Sequence, residues 1–251
     1  GSKGRRYMKK VNVKGTAAIL AASKKAGVSR FFFISTHSVY GKKSLVSMLL
    51  RGRPWKPVTA YGKDKLKAES LCGEYIRQKS LNITIFRPAP VISPGIKDPA
   101  ALACLFMALR ENGKGKIYIS SYSGRRQLLH IGDAVEAILA SDGRPVSIGQ
   151  IYDIGSDDVP THKEEIDALR EKAGLDCEVK ILSRARIRLY RCLFALAGGH
   201  LFTGEHFRSL IASRVTDCRK IKDELNWRPR KGNIDILTET ILWYKKEKLK
   251  I

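Results

Sequence analysis

Phe31-Phe32-Phe33-Ile34-Ser35-Thr36, entered from a helix and left through Val39-Tyr40-Gly41, decides the fold of this 251-residue chain. Four apolar residues in a row, closed by hydroxyls, read as a short strand buried on both faces. Upstream, Ala17, Leu20 and Ala21 recur at helical spacing within residues 13–26, and Gly27 supplies the stop. Downstream, a loop rich in Gly, Arg and Pro leads to a second helix over about 61–78. A second apolar strand, Ile83-Thr84-Ile85-Phe86, then ends at Arg87-Pro88. Strands separated by helices predict a parallel sheet covered by helices, an α/β fold.

The alternation continues. Residues 100–110, 130–140 and 161–173 read as helices, and 116–119 and 150–154 as strands. The helix from 161 opens on Thr161 three residues before Glu164, a capping-box spacing, and Gly174 ends it. Residues 184–197 mix arginines with Leu189, Leu193, Phe194 and Leu196. They read as a packed core helix, or as an amphipathic helix over a membrane surface or a substrate cleft. Two further helices flank Trp227-Arg228-Pro229.

Charge is the unusual bulk property: 47 Lys+Arg against 24 Asp+Glu give +23, a field that attracts nucleic acid, anionic lipid or phosphorylated substrates. The cations are spread along the chain, so a solvated basic surface is the plainer reading. Five dispersed cysteines form no Cys-x-x-Cys or Cys/His cluster, which argues against a disulfide framework or a zinc site. No run of about 18 apolar residues occurs, so the chain reads as a soluble cytoplasmic protein. It begins Gly1-Ser2 rather than Met, which suggests processing, an expression scar or reading frame upstream.

Tyr61-Gly62-Lys63-Asp64-Lys65 sets a phenol and an ammonium at i and i+4, on one helix face, where the cation favours the phenolate. Such a tyrosine exchanges a proton with a substrate hydroxyl. Tyr75 with Lys79 and Tyr244 with Lys248 repeat the spacing, but only Tyr61 follows a strand whose carboxyl end carries Ser35 and Thr36. In open α/β sheets ligands sit at such ends.

Several motifs, in this order and spacing, resemble the extended short-chain dehydrogenase/reductases of the NAD-dependent epimerase/dehydratase family. They are Asn12-Val13-x-Gly15-Thr16, the Ser35-Thr36 strand with Val39-Tyr40-Gly41, Tyr61-x-x-x-Lys65 and Phe86-Arg87-Pro88-Ala89. Further on come Arg126 before Leu129-His130-Ile131-x-Asp133, Tyr152-Asp153-Ile154-Gly155, and Glu224-Leu225-x-Trp227-x-Pro229. The resemblance implies an NAD(P)-binding Rossmann-like parallel sheet over residues 1–95. Residues 96–251 would form a smaller C-terminal α/β substrate domain that returns elements to the sheet.

By the same resemblance Tyr61 is the catalytic acid/base, Lys65 its partner and ribose ligand, and Thr36 the catalytic hydroxyl, with Ser35 near the nicotinamide. Asn12 and a Pro88-Ala89 turn line the cofactor, NAD or NADP, and Arg126 meets a substrate phosphate. The plainer readings make Asn12 a helix cap, His130 and Asp133 structural, His37 a loop residue and Arg126 a surface cation. The expected substrate is a sugar nucleotide or, as in 3-beta-hydroxysteroid dehydrogenase-like members, a sterol-like alcohol. His37 and Ser38 stand where dehydratases carry acids, which disfavours dehydration.

The family's opening Gly-rich segment has no counterpart here, so the first half of the sheet is expected to be missing, leaving an apolar edge strand exposed. The resemblance further implies a homodimer through the helices near 13–26 and 61–78. The alternative is a non-catalytic binding protein for RNA or another anionic partner.

Overall fold

The computed structural model describes residues 2–41, 57–96, 115–119, 121–181 and 215–248. Its elements run α1 (Ser2–Lys9), a π-helical turn (Lys10–Gly15), α2 (Thr16–Lys25), β1 (Phe31–Ile34), a 3-10 turn (His37–Tyr40), α3 (Ala60–Arg77), β2 (Ile83–Pro88) and β3 (Val91–Ile92). There follow β4 (Gly115–Ile119), β5 (Leu129–His130), α4 (Ile131–Ser141), a 3-10 turn (Pro145–Ser147), β6 (Ile151–Ile154), α5 (His162–Ala173), β7 (Cys177–Ile181), α6 (Arg219–Leu225) and α7 (Asn233–Lys248). They divide into two compact units. One comprises Gly1–Ala89, Gly132–Gly155 and Thr216–Arg228, and the other Pro90–Ile131, Ser156–Val215 and Pro229–Ile251.

The first unit is built on a parallel sheet in the order β1-β2-β6, with Phe33 opposite Ile85 and Ile85 opposite Ile151. All six residues of β2 are buried, as a central strand covered on both faces requires. Phe33, Ile83 and Ile85 pack with Leu20 of α2 and Ala68 and Cys72 of α3. Apolar burial of this kind is the main stabilising term, about 1.5–3 kcal/mol for each large aliphatic side chain fully removed from water. Polar groups under the sheet bond to one another: Arg30 Nη2 donates to Thr84 Oγ1 (3.1 Å), Ser147 Oγ (2.7 Å) and the Ser141 carbonyl (3.1 Å). Tyr152 donates from β6 to Glu224 of α6 (2.7 Å), and Trp227 Nε1 donates to the Asp133 carbonyl (3.2 Å).

In the second unit, α5 and α7 pack through Leu169, Ala173, Ile236, Leu237 and Ile241. The parallel pairs β3-β5 and β4-β7 accompany them. The capping box at Thr161 and Glu164 forms as its spacing predicts, and Gly174 closes α5 at φ 56° in the left-handed region.

Most expected elements stand within one or two residues of their predicted bounds. The first helix does not: the 13–26 stretch begins at Ser2, because the π-helical turn inserts an extra residue per turn. That shifts the apolar stripe, so no single 3.6 period runs through residues 2–25. Asn12 lies inside this continuous helix, its carbonyl accepting the Thr16 hydroxyl (2.7 Å), and so is not its cap. His130 belongs to β5 rather than to the helix after it. The expected helices at 100–110 and 184–197 fall outside the described residues. The apolar edge is present: among the described residues β1 pairs on one side only, and Ile34 is 41% exposed. No described helix is long and apolar enough to cross a membrane.

Gly62 sets how closely α3 approaches the 3-10 turn after β1. A Cβ there would lie 2.6 Å from the Ser38 carbonyl oxygen and 3.0 Å from Thr59 Oγ1. At Gly73 the nearest atom would be the far end of Arg77, at 3.5 Å. Gly62→Ala is therefore expected to cost about 1–3 kcal/mol by overpacking. Gly73→Ala in the same helix should be stabilising by about 0.5–1 kcal/mol through helix propensity. Urea denaturation of the two variants reads the contrast.

Candidate active site

The site is assembled at the carboxyl end of β1. The Ser35 N–H continues the ladder to the Phe86 carbonyl (2.7 Å), and extended Thr36 caps the 3-10 turn, its Oγ1 accepting from Ser38 N–H (3.2 Å). Helix α3 starts where Thr59 Oγ1 accepts from Gly62 N–H (2.9 Å), which puts Tyr61 in its first turn and Lys65 one turn on. Lys65 reaches back across the strand end: its Nζ donates to the Ile34 carbonyl (2.8 Å). It also lies 5.0 Å from the Phe33 ring centre and 5.9 Å from that of Tyr61. Burial lowers the Lys65 pKa below the usual lysine value, against opposing pulls from Cys72 and Glu69. Tyr61 and Lys65 thus stand together beside the Ile34-Ser35-Thr36 backbone.

Behind Ser35 runs a buried polar chain whose roles the motifs did not reveal. Ser35 Oγ donates to Glu69 Oε1, which also accepts Arg87 Nε (2.9 Å), while Oε2 accepts Arg87 Nη2 (2.5 Å). Arg87 Nη1 donates to the Tyr40 hydroxyl (3.0 Å), which in turn donates to Asp153 Oδ1 (2.7 Å) and Oδ2 (2.5 Å). Burial, then Asp153, pushes the Tyr40 phenol well up, so it stays protonated as the donor. Burial raises the Asp153 carboxyl to about 6, with Tyr40 and Arg87 opposing and Glu69 and Asp217 reinforcing. Tyr40, Arg87 and Asp153 each stood inside a quoted motif. Glu69 had its own signal, a carboxylate at i+4 from Lys65 on the core face between Ala68 and Cys72.

Of the other candidates, Pro88 and Ala89 stand at the carboxyl end of the neighbouring strand. Pro88 ends β2 opposite Ile154, and buried Ala89 donates to the Ile154 carbonyl (2.8 Å), so the two extend the strand and do not form the expected turn. Asn12 is half-buried in the π-helical turn. His37 is buried in its 3-10 turn.

Arg126 belongs to the second unit, where its guanidinium is paired to Glu165 through Nη2 and Nε (3.2 Å). Burial opposes ionisation of Glu165, but Arg126 and His162 outweigh it and hold the carboxyl below its usual range. The surface-cation reading of Arg126 is therefore corrected, because its partner is almost wholly buried. His130 Nε2 lies 3.7 Å from Glu239. The look-alike pairs separate as well: Lys79 has left the helix at φ 51°, and the Tyr244 hydroxyl is bonded to the Ile96 carbonyl. No group of metal-ligating side chains occurs among the described residues.

The model of the NAD dependent epimerase/dehydratase family matches residues 2–155. The chain belongs to that family. Among curated relatives, dTDP-D-glucose 4,6-dehydratase of Mus musculus is 32% identical over 148 residues, 58% of this chain and 40% of the relative. An uncharacterized protein of Sinorhizobium fredii is 26% identical over 94% of this chain and 58% of its own length. The chain therefore spans roughly half the length of these relatives. Among solved structures, UDP-glucuronic acid 4-epimerase from Bacillus cereus, in complex with UDP-glucuronic acid and NAD, superposes with a TM-score of 0.72 at 22% identity. It covers 94% of this chain and 68% of that one. The Rossmann-like α/β architecture is thus a family property that this chain's parallel sheet shares.

A carboxyl whose folded pKa exceeds its unfolded value holds its proton more tightly when folded. The stability Asp153 contributes is accordingly present below about pH 4 and lost as pH rises through about 6. Asp153→Asn should flatten the stability curve between those limits, as urea denaturation across that range would record.

Proposed function

We propose that this chain carries the catalytic residues of an NAD(P)-dependent epimerase or dehydrogenase acting on a sugar nucleotide by hydride transfer. The observation that carries the reading is the Lys65 ammonium, held by the Ile34 carbonyl and set against the Tyr61 ring at the carboxyl end of β1. Parallel α/β sheets bind ligands at that end. An ammonium has three N–H donors, and the Ile34 bond uses one, so the donor chemistry suits ribose hydroxyls as well as support of a phenolate. The nicotinamide, when bound, supplies a hydride acceptor at its C4 carbon.

Tyr61 takes the proton from the substrate hydroxyl as the carbinol becomes a ketone, and returns it on reduction. Lys65 favours the phenolate through its charge, and its lowered pKa reflects the desolvation that strengthens that field. Thr36 shares the substrate oxygen's hydrogen bond, and Glu69 fixes the neighbouring Ser35 hydroxyl. The names of the relatives favour a sugar nucleotide over a sterol-like alcohol. His37 and Ser38, which follow Thr36, offer no carboxylate to remove a second proton, which favours epimerase or dehydrogenase chemistry over dehydration.

Calorimetric titration with NADH, NADPH and UDP-glucose tests this, on the chain and on the complete gene product. Tyr61→Phe is expected to retain cofactor binding while turnover drops by at least ~100-fold, the scale of a lost acid/base. Lys65→Met should weaken cofactor binding as well. A complete gene product that binds neither cofactor, or a Tyr61→Phe variant with undiminished turnover, would overturn the reading.

A further inference from the structure

Arg87 and Arg126 each meet a buried carboxylate, and they do so differently. Arg87 presents a fork: Nε bonds one oxygen of Glu69, Nη2 bonds the other, and the side chain is 4% exposed. Arg126 turns the same two nitrogens to a single oxygen, Glu165 Oε1, and its side chain is 21% exposed. The second oxygen, Glu165 Oε2, has no hydrogen bond among the described residues, and His162 Nδ1 lies 3.9 Å from it. The closed fork is the stronger way for these two groups to pair and suits an ion pair that serves the fold alone. The one-oxygen contact instead fixes the direction of the Arg126 guanidinium and leaves part of it at the surface.

The surroundings hold the pair in that form. Glu165 lies in the first turn of α5, 2% exposed, and cannot follow the guanidinium outward. Buried His162 packs against Gly124, where a Cβ would lie 2.8 Å from the ring Cδ2 and 3.0 Å from Nε2, and its backbone N–H donates to the Gly124 carbonyl (2.8 Å). The Arg126 carbonyl accepts from Asn233 Nδ2 (2.5 Å), so the backbone and the side-chain end of Arg126 are fixed separately. A partly exposed guanidinium of fixed direction suits a phosphate, whose oxygens match the geometry of its N–H donors.

We propose, resting on the sugar-nucleotide reading above, that Glu165 is a positioning residue that aims Arg126 at a phosphate of the nucleotide, with His162 and Gly124 behind it. Aiming and neutralising have opposite consequences. A carboxylate that only cancels the charge of Arg126 weakens phosphate binding, so its removal strengthens it; one that aims the guanidinium strengthens binding, so its removal weakens it.

Calorimetric titration of the complete gene product with UDP and with uridine separates the two. Arg126→Gln and Glu165→Gln are each expected to lose about tenfold or more in affinity for UDP, the scale of one hydrogen bond to a charged group, and to bind uridine as the wild type does. Arg125→Gln removes an equal charge from the exposed neighbour, which donates to the Val159 carbonyl (2.5 Å), and should change UDP affinity by less than about threefold. In turnover of UDP-glucose, Glu165→Gln should raise KM while kcat stays within about twofold, as loss of uniform binding requires. Should Glu165→Gln fail to fold by circular dichroism, Arg126→Lys decides the matter: Glu165 keeps a cation but the planar fork is lost, so UDP affinity should fall as in Arg126→Gln. Tighter UDP binding by Glu165→Gln, or undiminished UDP binding by Arg126→Gln or Arg126→Lys, would overturn the assignment and leave the Tyr61 and Lys65 reading standing. So would an equal loss for uridine, which has no phosphate to be aimed at. A wild type that binds neither UDP nor UDP-glucose overturns the sugar-nucleotide reading itself, and this assignment with it.

Discussion

Glu69 and Arg87 meet with both side chains about 95% removed from water, and the geometry of the site hangs on that ion pair. Burying either ion alone costs several kcal/mol, so the pair persists only because its hydrogen-bonding capacity is taken up. One carboxylate oxygen receives Ser35 and Arg87 Nε, the other receives Arg87 Nη2, and the last arm of the guanidinium passes to Tyr40 and on to Asp153. A helix, two strands, the residue that follows a third strand and a 3-10 turn are thereby tied by one polar chain. Ser35 is held from behind, which leaves the other side of the β1 terminus to Lys65 and Tyr61.

The second unit uses the same economy on a neutral group. Fully buried Asn233, at the start of α7, accepts from Leu128 N–H (3.0 Å) and the Ser156 hydroxyl (2.7 Å), and donates to the Arg126 carbonyl (2.5 Å). Its amide fixes the strand segment that leads to β5, just where Arg126 turns to Glu165. In both units an arginine is oriented by a buried carboxylate, and its backbone or neighbour is held by a second polar residue. An amide or carboxylate held by several such bonds specifies one arrangement far more sharply than apolar packing does.

Strands and helices were legible wherever periodicity and punctuation agreed. Phe31 to Ile34 could only be a strand, and Thr161 with Glu164 announced its own helix. The π-helical turn was illegible because it breaks the period that reveals helices. The two-residue strands at Val91 and Leu129 were illegible because their pairing is decided by partners far away in the chain. Tyr61, Lys65, Ser35 and Thr36 could be singled out because each is a chemically marked residue next to a readable element. Glu69 and Asp153 could not be given roles, since a buried carboxylate looks like a surface one until its partners are known. Asn233 is the extreme case, an ordinary polar residue by sequence whose three bonds span more than 70 residues of chain.

Lys65 also has a bearing on how the chain behaves in company. Along β1, Phe31 and Ser35 donate toward β2, so by alternation the Ile34 carbonyl points to the side where no described strand pairs. Among the described residues no strand meets that side of the Phe-Phe-Phe-Ile segment, and an unmet strand side is the kind of edge on which foreign strands align and fibrils grow. The ammonium of Lys65 occupies the last carbonyl of that segment. That side chain thereby acts as a stopper, and its charge discourages any second strand from laying itself alongside.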